Sequence, residues 1–132
     1  MKQRPVAIGL LLCEQIIVED KTHNITPVNC FTRRPADTFP STPPPFVVLA
    51  ILTDGSGEIP LEVLIQRLDT LDEVYRTTRS FHFTDPLLEM RCTVRIRECS
   101  FPVPGPYLVS LLADSEMIAQ RKLVLNHKET SS

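Results

Sequence analysis

The chain has 132 residues, 42% hydrophobic and 23% charged, with a formal net charge of −2. This suits one ordinary globular domain, able to bury roughly two-thirds of its unfolded surface without metal or disulfides. It excludes a disordered chain, and the slightly acidic balance gives no global attraction to nucleic acid or an anionic membrane.

Lys2 and Arg4 precede an apolar run from Val6 to Cys13 that imitates a lipoprotein signal. The run is too short, and Leu12 stands where a small residue must precede a modified cysteine, so a first strand is expected. No run approaches the ~18–20 apolar residues of a membrane span, so the expected location is cytoplasmic. That strand continues to Val18, kinked or changing sheets at Glu14-Gln15. A polar turn follows, and Ile25 to Phe31 returns as a strand that Pro27 confines to an edge or bulge. Thr32 to Thr42 reads as irregular, with one helical turn around Pro35. Ser41 to Pro45 reads as an extended polyproline crossover.

Phe46 to Thr53 is apolar on both faces and predicts a central strand. Asp54-Gly55-Ser56-Gly57 predicts a hairpin turn, with Ile59 to Leu68 as its return strand. Val74 to Phe83 is more polar and suits a sheet edge. Leu87 to Glu98 has the cleanest period of two: Cys92, Val94 and Ile96 point one way, Arg91, Thr93, Arg95 and Arg97 the other. Phe101 to Pro106 is a proline-stiffened entry to a strand ending at Ala113. Asp114-Ser115 turns the chain into a last strand reaching Leu125.

The 12 prolines, 4 glycines and even spacing of about eight strands predict an all-β chain. The expected fold is a single antiparallel two-sheet β-sandwich over residues 1–127, with a polar tail at 128–132. Gly105-x-Tyr107-x-Val109 resembles the start of strand F in immunoglobulin-like domains, where a tyrosine forms a corner. Val109 replaces the cysteine common there, and the chain has no tryptophan. Further motifs occur in order: Leu12-Cys13-Glu14 leading into Gln15 to Val18, Ile25 to Phe31, Phe39-Pro40, and Pro104 to Tyr107. Together they resemble a family of small bacterial proteins that carry a domain of unknown function, DUF6941. The resemblance implies a small β-sandwich and carries no activity, substrate or catalytic residue.

Candidate chemistry is sparse. Ser56 is flanked directly by glycines and precedes a strand, which is turn chemistry rather than a nucleophile elbow. His23, His82 and His127 are far apart, and His82 sits between Phe81 and Phe83. Asp69, Asp72 and Glu73 share a turn without calcium-loop spacing. The four cysteines, Cys13, Cys30, Cys92 and Cys99, show no C-x-x-C spacing and read as reduced core thiols. No metal or cofactor is expected.

Arg91, Arg95 and Arg97 form a candidate basic patch; Arg76 and Arg79 lie on opposite faces of the preceding strand, and a hairpin could gather some of these into it. Leu108 and Leu112 lie opposite Tyr107, Val109 and Leu111, leaving an apolar second face that is a candidate interface. These features predict a non-enzymatic binding or assembly module acting through a sheet face, edge strand or loops. Its expected partner is a protein or a second copy of itself, not a membrane or nucleic acid. A carrier with an apolar cavity is the first alternative. An enzyme whose His82 meets a carboxylate or cysteine in a concave pocket is the second.

Overall fold

A computed structural model describes residues 2–128. The tail expected at 128–132 therefore lies outside the described residues, apart from Lys128. Ten strands follow in order: β1 (Val6–Cys13), β2 (Gln15–Val18), β3 (Ile25–Val28), β4 (Arg33–Ala36), β5 (Phe46–Thr53), β6 (Gly57–Arg67), β7 (Glu73–Phe83), β8 (Met90–Ile96), β9 (Gly105–Ala113) and β10 (Glu116–His127). No helix occurs among the described residues.

The strands form a three-stranded sheet, β1-β5-β8, a five-stranded sheet, β4-β10-β9-β6-β7, and a two-stranded hairpin, β2-β3. The count exceeds the eight expected for two reasons. At Glu14 the first apolar run leaves its sheet and pairs with β3 instead. The segment expected to be irregular contains β4, which pairs in parallel with the end of β10, Arg34 opposite Leu125.

The two larger sheets bury one core. Leu10 and Leu12 of β1, Phe46, Val48 and Leu52 of β5, and Cys92, Val94 and Ile96 of β8 supply one side. Ile59 to Ile65 of β6, Tyr107, Val109 and Leu111 of β9, and Leu123 and Leu125 of β10 supply the other. These positions alternate along each strand, as a half-buried pleated sheet requires.

The Asp54-Gly55 turn does not make the expected hairpin. β5 pairs with β1 and β8, whereas β6 pairs with β7 and β9. The turn's polar groups bind elsewhere: Asp54 N–H donates to Pro86 O at 2.9 Å, and Ser56 bridges Gln3. Gly55 is wedged where a Cβ would lie 2.9 Å from both Phe83 Cδ2 and Pro5 Cβ. The turn therefore steps the chain from one sheet to the other. The Asp114-Ser115 turn is a true hairpin: both residues have positive φ, 52° and 71°, which gives the twist a two-residue connection needs.

The proline-stiffened entry to β9 is held by Tyr107. Its buried ring stacks edge-on against Phe101 at 4.9 Å. Its hydroxyl donates to Val103 O at 2.6 Å and accepts from Val103 N–H at 3.3 Å. This is the geometry of a tyrosine corner.

Candidate functional site

β5 is the middle strand of its sheet and β8 is an edge. The outward residues of this sheet include Val47 and Leu49 of β5, with Arg91, Thr93 and Arg95 of β8 beside them. The β2-β3 hairpin leaves β1 at Glu14 and lies over this side. Gln15, Ile16, Val47, Arg79, Thr93 and Arg95 enclose a surface groove of about 370 Å³. Val47 and Ile16 give it apolar surface, and Arg79 and Arg95 give it two cations.

Arg79 arrives from the other sheet. β7 is the edge strand facing β8, and Arg79 shares the inward face with its register partner Leu61. Its guanidinium stacks over Phe81 at 5.1 Å and donates to Thr93 O at 3.3 Å. It therefore spans the gap between the sheets. Beneath it, burial pushes the Cys92 thiol up to about 11, a rise that the Arg79 charge partly opposes.

Among the described residues, several cations elsewhere are ion-paired, whereas those of the groove are not. Lys2, Arg4, Arg67 and Arg76 pair with Asp114, Glu116, Asp69 and Glu62. Among the described residues, none of Arg79, Arg91, Arg95 and Arg97 has a carboxylate at ion-pair distance. The candidate patch is thus placed in part: Arg95 lines the groove, Arg91 shares its face, and Arg97 lies just beyond the end of β8. Of Arg76 and Arg79, which a hairpin could have added to the patch, only Arg79 joins it. Its inward position in a neighbouring strand hid its reach across the gap.

The other candidates are dispersed. Leu108 and Leu112 lie on the outer face of the five-stranded sheet, opposite Gln66 and Glu62 of β6. Leu108 is buried there and Leu112 half-buried. Asp69 accepts from Arg67, which lowers its pKa, and Glu73 pairs with Arg76. No group of three or more metal-ligating side chains exists among the described residues. His82 does meet a carboxylate, with Nδ1 3.1 Å from Glu58 Oε1, but both side chains are more than half exposed, at 59% and 65%. Neither lines a described cavity. Cys13, Cys92 and Cys99 are buried thiols, but Cys30, also expected in a core strand, is exposed. It follows the end of β3, where the chain leaves the hairpin.

A cation missed in the sequence is Arg34. It seats on the Phe31 ring at 4.5 Å, burial lowers its pKa, and its Nη1 is buried without a hydrogen-bond partner among the described residues. No helix of the described residues is long and apolar enough to cross a membrane.

Comparison with known proteins gives a family and no activity. Residues 9–126 match a family described as a family of unknown function, DUF6941. The chain belongs to that family. No curated protein matches it. Among solved structures, one match is Pseudomonas fluorescens alkylpurine DNA glycosylase AlkC bound to DNA containing an abasic site analog. That similarity has 10% identity and a TM-score of 0.47, and covers 89% of this chain but 30% of that one.

Proposed function

We propose that this DUF6941 member is an immunoglobulin-like β-sandwich serving as a non-enzymatic binding module, and that the β8 groove takes an extended acidic segment of a protein partner. The observation that carries this reading is the pair Arg79 and Arg95, lining one groove with no carboxylate of their own among the described residues. Guanidinium groups present forked donors suited to carboxylates, and charge-assisted hydrogen bonds are roughly twice as strong as neutral ones. Ile16 and Val47 supply an apolar surface for the aliphatic part of such a segment. β8 has no strand neighbour on its outer side, but Arg79 already bonds Thr93 O there, so the arginine side chains rather than an added strand ladder would hold the segment.

The sandwich assignment rests on two sheets sharing one core and on the Tyr107 corner. The carrier alternative calls for an apolar internal cavity. Tyr107, Phe46 and Phe101 fill the core instead, and the two largest described cavities lie among surface strands and loops. The exposure of the His82–Glu58 pair favours binding over catalysis, because an exposed pair lacks the dry surroundings that strengthen acid–base chemistry.

The test is fluorescence anisotropy with short labelled peptides alternating Glu and Val, set against Gln and Lys counterparts. The acidic peptide should bind, and Arg79→Gln with Arg95→Gln should abolish binding. Equal binding of the Gln peptide, or acidic binding that survives both substitutions, would sink the assignment.

A further inference from the structure

The β2-β3 hairpin is attached to the body through two short stretches, Cys13-Glu14 and Asn29-Cys30-Phe31. Two backbone hydrogen bonds define this base: Phe31 N–H donates to Leu12 O at 2.9 Å, and Glu14 N–H donates to Val28 O at 3.0 Å. In an antiparallel ladder the residues between two such bonds face each other across the strands. On the β1 side the intervening residue is Cys13. On the β3 side there are two, Asn29 and Cys30, so this strand carries one extra residue. Asn29 absorbs it with a left-handed φ of 54°. Cys13 therefore faces the Asn29-Cys30 step of the bulge.

We infer that Cys13 and Cys30 form a reversible disulfide across the base of the hairpin, and that closing it fixes the wall of the acidic-peptide groove. The second clause rests on the proposed function; the first does not. Burial first, and the neighbouring Cys30 second, push the Cys13 thiol up. Exposed Cys30 is open to an oxidant, whereas Cys13 is buried. The other two thiols, Cys92 and Cys99, lie in the core between the sheets, away from the base of the hairpin. Burial pushes Cys92 up to about 11 and Cys99 up to about 12.

With oxidised glutathione as the oxidant, the steps balance. The Cys30 thiolate attacks one glutathione sulfur, releasing a glutathione thiolate and leaving a mixed disulfide. The Cys13 thiolate then attacks the Cys30 sulfur and expels the second glutathione. Two protein thiols are oxidised to one disulfide, and oxidised glutathione is reduced to two thiols that take up both protons.

The hairpin makes few contacts with the sheet beneath it, and Ile17 and Val18 are exposed. A covalent link at its base removes pivoting about Glu14. Gln15 and Ile16, which wall the groove, follow directly. Pre-organising that wall lowers the ordering cost of binding.

The experiment treats the whole chain with oxidised glutathione and reads intact mass, hydrogen exchange and peptide binding. The mass should fall by two hydrogens, with peptide mapping joining Cys13 to Cys30, and Cys30→Ser should abolish the change while keeping the circular dichroism spectrum. Exchange at the Thr26 and Val28 amides should slow by about tenfold. The acidic peptide should bind about three- to tenfold tighter to the oxidised protein. A mixed disulfide that persists at Cys30, or unchanged exchange, overturns the inference. If the acidic peptide fails to bind even the reduced protein, the groove assignment falls, and the disulfide is judged on mass and exchange alone. If it binds both forms equally, the regulatory clause falls.

Discussion

The Arg121 guanidinium of β10 donates to the Leu10 carbonyl of β1 at 2.8 Å, joining the five-stranded sheet to the free edge of the three-stranded one. On the opposite side Arg79 does the same for β8, through Thr93 O. Phe31 N–H covers a second β1 carbonyl, that of Leu12. An edge strand with bare backbone groups invites pairing with another chain, and inward-pointing charges are one way to prevent it. Both open sides of the protein carry such an arginine. The β1 side has partners at Leu10 O and Leu12 O, whereas the β8 side keeps Arg95 without an ion pair among the described residues.

Arg121→Met should therefore cost about 1.5–3 kcal/mol, the range for a hydrogen bond to a charged group. Urea denaturation monitored by circular dichroism reads this directly. Arg79→Met should cost less, about 0.5–1.5 kcal/mol, because its bond is longer and more exposed. Equal losses would show that the two closures are equivalent.

Binding at the β8 groove should weaken with salt, since its arginines face solvent and are screened within a Debye length of about 10 Å at 0.1 M. Arg95→Gln alone should reduce acidic-peptide affinity by about tenfold. Leu112→Asp, on the far face of the other sheet, should leave it within about twofold. Anisotropy titrations at two salt concentrations separate these outcomes.

Tyr107→Phe removes the hydroxyl that both donates to and accepts from Val103 but keeps the ring packing on Phe101. The expected cost is about 1–2 kcal/mol. Tyr107→Ala also empties a fully buried site and should cost about 3–5 kcal/mol. A thermal melt in which both variants lose the same amount would show that the hydroxyl dominates.

Alkali should destabilise the fold. Cys92 and Cys99 hold their protons to about 11 and about 12 when folded, against 9.0 for an ordinary thiol. Between those values the unfolded chain has released protons that the folded chain keeps, so ν_U − ν_N is negative and stability falls as pH rises. The stabilisation is complete below pH ~9 and is lost progressively above it, roughly 2–4 kcal/mol for each thiol. Chemical denaturation across this window should show the decline, and Cys99→Ala should flatten part of it. A midpoint that is level from neutral pH to strong alkali would contradict the burial of these thiols.

Gly55→Ala should be destabilising by about 1–3 kcal/mol, because the new methyl meets Phe83 and Pro5 on both sides. A melt unchanged by the substitution would mean that this crossover packs loosely.

Where burial alternates with sequence, the structure was legible in the chain. Leu87 to Glu98 showed its core face at Cys92, Val94 and Ile96, and Phe46 to Thr53 was readable as a central strand because both its faces are apolar. What escaped was non-local. Arg33-Arg34-Pro35-Ala36 has little intrinsic strand preference and becomes β4 only by parallel pairing with the distant end of β10. Asp54-Gly55 carries a hairpin signal, yet its polar groups are satisfied by Pro86 and Gln3, so tertiary contacts override the local preference. The candidate site was half visible for the same reason. Arg95 belonged to a readable strand face, but its neighbour in the groove is Arg79, brought there from another sheet.

The position of β10 between β4 and β9 has a consequence for biosynthesis. β4 is complete after Ala36, yet among the described residues its one sheet partner is the Val124 to His127 part of β10. During translation β4 must wait for residues 124–127 to leave the ribosome, and Leu10 for Arg121. Loop closure over such a separation is slow. Until β10 arrives, the Leu10 carbonyl at the edge of β1 therefore lacks its Arg121 partner.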